Sequence, residues 1–69
     1  MSRAKTRAPV KGASRCYVLT PSSEEDAYAW AACRLTERGW TPIDQGWAIP
    51  DQHGTWIMVE LWAIPPRAE

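Results

Sequence analysis

The sequence of 69 residues has little of what catalytic and metal sites usually require. Its one His and two Cys residues do not cluster at metal-ligand spacing. Its four Gly residues do not form a phosphate-binding loop, and no nucleophile stands in a pattern with a base and an orienting acid. We therefore expect that the protein is not an enzyme and that it binds no cofactor or metal.

A long apolar run is also missing. No segment approaches the ~20 apolar residues of a transmembrane helix. The basic N-terminus is not followed by an apolar stretch before Cys16, although a signal peptide needs one. We therefore expect a cytoplasmic protein without a membrane partner. Cys16 and Cys33 fall in different predicted elements, so reduced thiols are the better interpretation.

The chain is long enough for one domain, and 45% of its residues are apolar, which favours a folded unit. The net charge of zero hides an asymmetry, because residues 1–15 hold no acid and five of the eight basic residues. These five are Arg3, Lys5, Arg7, Lys11 and Arg15. We expect a disordered basic arm over residues 1–14, a domain over 15–65 and a frayed C-terminus over 66–69. The arm is either a solvated tail or a segment that contacts phosphates or its own acidic body.

Local patterns predict a strand, a helix and two further strands. Residues 15–20 are rich in β-formers and end at Pro21. Ser22 and Glu25 have capping-box spacing, and the alanine-rich run that follows, residues 27–38, predicts a helix that stops at Gly39.

Residues 40–49 predict a weaker strand, in which Pro42 fits an edge position and Gly46 suggests a bulge. Residues 51–54 form a turn, and residues 55–64 predict the longest and most apolar strand. This last strand should lie in the centre of the sheet. The expected fold is α+β, with a three-stranded antiparallel sheet in the order 1-3-2 and one helix on one face.

The helix end carries a resemblance to a known group of proteins. Leu35, Gly39 and Trp40 form a Leu-x-x-x-Gly-Trp motif between the helix and the second strand. In this respect residues 15–65 resemble small bacterial and phage domains of unknown function whose helix ends in a Gly-Trp pair. The resemblance implies a compact β-α-β-β module and no assigned activity.

A helical wheel predicts which side of the helix is buried. Tyr28, Ala31, Ala32 and Leu35 fall on one side and form the expected core stripe. Trp30 falls on the opposite, polar side. It either covers a strand edge or aliphatic side-chain stems, or it anchors a partner.

The third strand is apolar on both faces. Alternation places Ile57, Val59, Leu61 and Ala63 on one face, which suits the alanine-rich helix. The opposite face then holds four residues that one helix cannot cover. These are Trp56, Met58, Glu60 and Trp62. Trp47 and Ile49 join them if the hairpin register allows, since a slip of one residue would move Trp47 across the sheet.

So large an apolar face is expected to be covered, because soluble monomers rarely tolerate one. A second copy of the chain is the simplest cover, and the chain's own arm or C-terminal tail is the alternative. On that face Glu60 is expected to have a raised pKa or to pair with an arginine such as Arg15 or Arg67. We interpret it as a polar interface contact rather than a catalytic acid. The Asp51-x-His53 spacing in the turn is more typical of solvated residues than of a catalytic or metal pair.

These observations predict a non-enzymatic, homodimeric protein-binding module that occupies a surface on a larger protein. The residues expected to bind the partner are Trp30, Trp47, Trp56, Met58, Glu60 and Trp62. Phage and mobile-element proteins of this size often inhibit host machinery in this way, including CRISPR–Cas complexes; this expectation comes from how common such proteins are, since no residue of the sequence encodes it. The alternative is nucleic-acid binding through the five basic residues of the N-terminal segment, although the acidic body would repel the same phosphates.

Overall fold

The computed structural model of the chain describes residues 9–67. It contains the strands β1 (Ser14–Pro21), β2 (Thr41–Pro50) and β3 (Trp56–Ile64) and one helix, α1 (Ala27–Glu37). The strands form one antiparallel sheet in the order β1-β3-β2. The predicted α+β fold and strand order are confirmed. No helix among residues 9–67 has the length and apolar character to span a membrane.

The helix begins at a different cap from the predicted one. Asp26 is the N-cap, and its Oδ1 accepts a hydrogen bond of 3.0 Å from the backbone N–H of Ala29. The Ser22 hydroxyl instead donates to the carbonyl of Gly54 at 2.6 Å, which ties the end of β1 to the hairpin loop. The predicted capping box of Ser22 and Glu25 is therefore wrong, because Ser22 is used for a long-range contact.

The helix ends where the sequence predicts. Gly39 has a φ of 90°, a left-handed conformation that glycine adopts at little cost. The backbone N–H of Trp40 then donates to the carbonyl of Leu35 at 3.0 Å. Pro66 lies against Gly39, since a Cβ placed on that glycine would be 3.1 Å from the Cβ of Pro66. The first residue of the expected frayed C-terminus is thus packed on the domain.

The core lies between α1 and one face of the sheet. Its buried residues are Ala31, Leu35, Val59, Leu61 and Ala63. Half-buried Tyr28, Ala32 and Ile57 pack against them. Both the predicted helix stripe and the predicted inward face of β3 are confirmed. The small alanine side chains allow the helix to approach the sheet closely.

Strand β2 is irregular at two places. Its pairing with β3 shifts between Pro42 and Asp44 and again between Gln45 and Ala48. The second shift places Gly46 and Trp47 together opposite a single β3 residue, so the predicted bulge at Gly46 is confirmed. Ile49 pairs with Met58, and alternation back from Ile49 assigns Trp47 to the face that the helix leaves open.

The N-terminal boundary differs slightly from the predicted one. Strand β1 starts at Ser14, one residue before the predicted start of the domain, and Arg15 is a strand residue as predicted. Lys11 lies in an exposed turn in which the N–H of Ala13 donates to the carbonyl of Val10. The rest of the predicted basic arm, with Arg3, Lys5 and Arg7, lies outside the described residues.

Candidate functional site

The sheet face opposite the helix, hereafter the open face, is divided into an apolar half and a charged half. Directly opposed residues of an antiparallel pair share a face, so the register defines each row across the sheet. Leu19, Met58 and Ile49 form one row across all three strands. Toward the hairpin, Trp56 pairs with Pro21 and extends the apolar half.

The apolar half is exposed. Leu19 is 60% exposed, Ile49 50%, and Trp47 and Trp56 43% each, with Met58 close behind at 39%. Five such side chains leave on the order of 500 Å² of apolar surface, because one aromatic side chain alone spans roughly 150–250 Å². This lies at the upper end of what soluble monomers expose. The predicted exposure of Trp47, Trp56 and Met58 is therefore present in the structure.

The charged half is centred on Glu60, which is only 6% exposed. Its Oε2 accepts a hydrogen bond from the Tyr17 hydroxyl at 3.1 Å and lies 3.2 Å from Nε of Arg15. Arg15 and Tyr17 belong to the neighbouring strand β1, where Tyr17 pairs directly with Glu60. The predicted pairing of Glu60 with an arginine is confirmed for Arg15. The carboxylate is held by two donors from one side, which orients it within the sheet.

Trp62 is placed differently from the expectation. It is only 5% exposed, and the guanidinium carbon of Arg15 lies 5.0 Å from its ring centre. The arginine covers the indole from β1, where the two residues are directly paired. The alternation of β3 predicts an uncovered Trp62 on the open face, but Arg15 covers it, and Glu60 is also buried. The assignment of these two residues to partner binding stays a prediction.

Trp30 lies apart from the open face. It is half-buried, and the Arg34 guanidinium carbon stands 5.4 Å from its ring centre. Its indole lines a groove of about 280 Å³ between α1 and the outer edge of β1. Trp30 thus stacks on an arginine beside a strand edge, as the first alternative expects. Its role as a partner anchor stays a prediction.

Tyr17 and Leu19 are the surface residues that sequence reasoning missed. They are 56% and 60% exposed, and they contribute to both the open face and the groove. The alternation of β1, combined with the predicted strand order, contained the signal. It would have placed both residues on one face of β1, next to β3, although not opposite particular β3 residues.

Other reactive groups have local structural roles. Within residues 9–67 no group of three or more His, Cys, Asp and Glu side chains is arranged to hold a metal ion. Asp51 Oδ1 accepts the backbone N–H of Thr55 at 2.9 Å, so this carboxylate organises the hairpin loop rather than acting with His53. Cys16 and Cys33 are free thiols, and burial raises the pKa of the Cys16 thiol.

Half-buried Tyr28 flanks the core on the helix side. Burial raises the pKa of the Tyr28 hydroxyl, and the negative charge of Asp44 raises it further. Tyr28 therefore stays a neutral phenol and behaves as a core residue with a polar edge.

Comparisons with known proteins do not add to this description. No protein-family model matches the chain, and neither the curated proteins nor the solved structures contain a match to it. The resemblance carried by Leu35, Gly39 and Trp40 therefore stays a prediction.

Proposed function

We propose that this chain is a non-enzymatic protein-binding module that associates with a second copy of itself through the apolar half of the open face. The observation that carries the proposal is the exposed row of Leu19, Met58 and Ile49, bordered by Trp47 and Trp56. A row of apolar side chains without a cover favours association.

A second copy fits this surface by symmetry and by charge. A two-fold axis through the apolar half brings identical apolar rows together and closes the assembly at two chains. The ion pair of Arg15 and Glu60 then lies at the rim of the contact. Two faces of on the order of 500 Å² each bury about 1,000 Å², the lower limit for a specific interface. The dimer is therefore expected to dissociate on dilution.

The wider role follows from the same surface chemistry. We propose that the module acts in the cytoplasm by occupying a surface on a larger protein, with no catalytic step. A role as an inhibitor of a host defence complex such as CRISPR–Cas rests only on how often small phage proteins act in this way, and it stays a prediction. Nucleic-acid binding is the competing prediction, and one of its five cations, Arg15, is engaged with Glu60 and Trp62.

Sedimentation velocity of the full chain over a range of concentrations tests the dimer. The wild type should approach twice its 7.8 kDa chain mass as concentration rises. Met58→Glu should remain monomeric, because it places a charge in the middle of the apolar row. Ala29→Glu is the matched control, since Ala29 is exposed on the helix, away from the sheet.

Three outcomes would contradict the proposal. A wild type that stays monomeric at several hundred micromolar has no self-complementary face. Equal dimerisation of Met58→Glu and the wild type would place the contact elsewhere. Loss of the dimer in Ala29→Glu would show that any added acid disrupts it.

A further inference from the structure

The two edges of the sheet differ in their ability to accept another strand. Strand β2 carries Pro42 and Pro50 and two register shifts, all of which interrupt a ladder of backbone hydrogen bonds. Strand β1 pairs with β3 at every position from Ser14 to Pro21 without a shift. Between residues 16 and 20 it has no proline and no charged side chain. Its outer edge presents unpaired backbone N–H and C=O groups to which another strand can pair, an arrangement that most edge strands avoid.

The edge of β1 is also the wall of a groove. The groove has a volume of about 280 Å³ and runs between this edge and the exposed side of α1. Its lining residues are Tyr17, Val18, Leu19, Trp30, Arg34, Leu35 and Arg38. A strand added to β1 would therefore lie with one row of side chains in a preformed concave surface.

The two arginines of the groove differ in their partners. Arg34 bonds to Glu37 and stacks on Trp30, so its charge is largely compensated. Arg38 is exposed and makes no ion pair with any residue between 9 and 67. The groove therefore has one uncompensated positive charge, which lies at the C-terminal end of the helix.

We propose that β1 binds an extended acidic segment of a partner protein as a fourth strand, with a carboxylate of that segment paired to Arg38. Backbone hydrogen bonds to the edge of β1 supply the affinity, and Arg38 selects the charge. This inference concerns a different surface from the open face and holds whether or not the chain dimerises.

The charge of the groove argues against two other occupants. The chain's own N-terminal segment, residues 1–13, carries only basic charge and does not complement Arg38. A second copy paired edge to edge would bring Arg38 of both chains to one seam, where like charges repel. An acidic segment from another protein complements the positive charge of Arg38.

The alternation of β1 specifies the pattern of the bound segment. Val18 pairs with Val59 of the core and so lies on the helix side, toward the groove. Tyr17 and Leu19 lie on the open face. A partner strand should therefore place acidic residues toward the helix and β-branched residues beside Tyr17 and Leu19, where cross-strand aromatic and aliphatic pairs form.

A synthetic peptide of nine residues in which Val and Glu alternate, with both termini blocked, is the probe. Titration into the isotope-labelled full chain, followed by amide ¹H–¹⁵N chemical shifts, should move residues 16–20 and 30–38. A matched Val–Lys peptide should bind roughly tenfold more weakly, as expected for the loss of one charge-assisted hydrogen bond. A Val–Glu peptide with N-methylated alternate amides should not bind, because it cannot form the ladder.

A charge swap provides the decisive control. Arg38→Glu should reverse the preference, so that the Val–Lys peptide binds more tightly than the Val–Glu peptide. Arg67→Glu, at another exposed arginine, should leave the preference unchanged. An unchanged preference in Arg38→Glu, equal binding of the two peptides to the wild type, or no binding at millimolar peptide would overturn the proposal.

The experiment separates this inference from the proposed dimer. Met58→Glu should bind the Val–Glu peptide as the wild type does, because Met58 does not line the groove. Shifts confined to Met58, Ile49 and Trp56 would show that the peptide binds the open face, and they would refute strand addition at β1. The sedimentation mass of the Arg38→Glu variant should rise with concentration as that of the wild type does, because Arg38 lies outside the proposed dimer surface.

Discussion

The Arg15 guanidinium lies 5.0 Å from the ring centre of Trp62, on the sheet face opposite the helix. One cation therefore both covers an indole and, through its Nε, neutralises the buried carboxylate of Glu60. This arrangement places a polar cluster on half of an otherwise apolar sheet face, in which Glu60 Oε1 and Trp62 Nε1 are buried without a hydrogen-bond partner in the part of the chain that the structure describes. The remaining half is the surface that we propose for self-association.

The first prediction concerns the stability of this cluster. Arg15→Ala should lower the free energy of unfolding by about 1–3 kcal/mol, because a buried carboxylate loses a charged donor. Arg15→Lys should retain part of that stability, since it keeps the charge without the planar group. Urea unfolding followed by circular dichroism measures the difference. Arg67→Ala, at an exposed arginine, should stay within about 0.5 kcal/mol of the wild type, and an equal loss there would contradict the assignment.

The second prediction concerns the bulge in β2. A Cβ at Gly46 would lie 2.6 Å from Oε1 and 3.0 Å from the carbonyl oxygen of Glu60. Gly46→Ala should therefore lower the free energy of unfolding by about 1–3 kcal/mol through overpacking. The penalty should shrink when it is measured in a Glu60→Ala background, because the carboxylate is then absent. A penalty of the same size in both backgrounds would rule out this contact as its cause.

The third prediction distinguishes the two candidate caps of α1. Asp26→Ala should cost about 1 kcal/mol of unfolding free energy, because the N–H of Ala29 loses its acceptor. Glu25→Ala should change stability by less than about 0.5 kcal/mol. Thermal unfolding of the two variants checks the order. A larger loss for Glu25→Ala would support the capping box instead.

The fourth prediction concerns the two thiols. Burial raises the pKa of Cys16, so a smaller fraction is thiolate at any pH below that pKa, whereas Cys33 is exposed on the helix. Cys33→Ser, which leaves only Cys16, should react more slowly with a disulfide reagent at pH 8 than Cys16→Ser does. The reaction of the remaining Cys16 should also accelerate over a more alkaline range than that of a free thiol. Faster reaction of Cys16 than of Cys33 would contradict its burial.

The fold was largely predictable because its signals are local or periodic. The alternation in β3 identified Val59, Leu61 and Ala63 as core residues, and the helical period identified Ala31 and Leu35. The same periodicity distinguishes the faces of a strand, although it does not show which neighbouring side chains cover them.

The site was less predictable because its burial depends on pairing across strands. Trp62 and Met58 occupy equivalent positions in the alternation, yet Trp62 is 5% exposed and Met58 39%. The difference comes from their partners on β1, which are Arg15 for the tryptophan and Leu19 for the methionine. Only the register reveals these pairs. The prediction of the helix N-cap was wrong for a related reason. The Ser22 hydroxyl donates to the carbonyl of Gly54, which is 32 residues away in the sequence.

The contrast between the two sheet edges also limits the assemblies that this chain can build. Fibrils grow when both edge strands of a sheet can pair with another chain, because each added chain then presents a new unpaired edge. In this chain the prolines and register shifts of β2 prevent strand pairing at that edge of the sheet. Strand addition to the exposed edge of β1, between Cys16 and Thr20, therefore ends after one added strand. The assembly then contains a fixed number of chains.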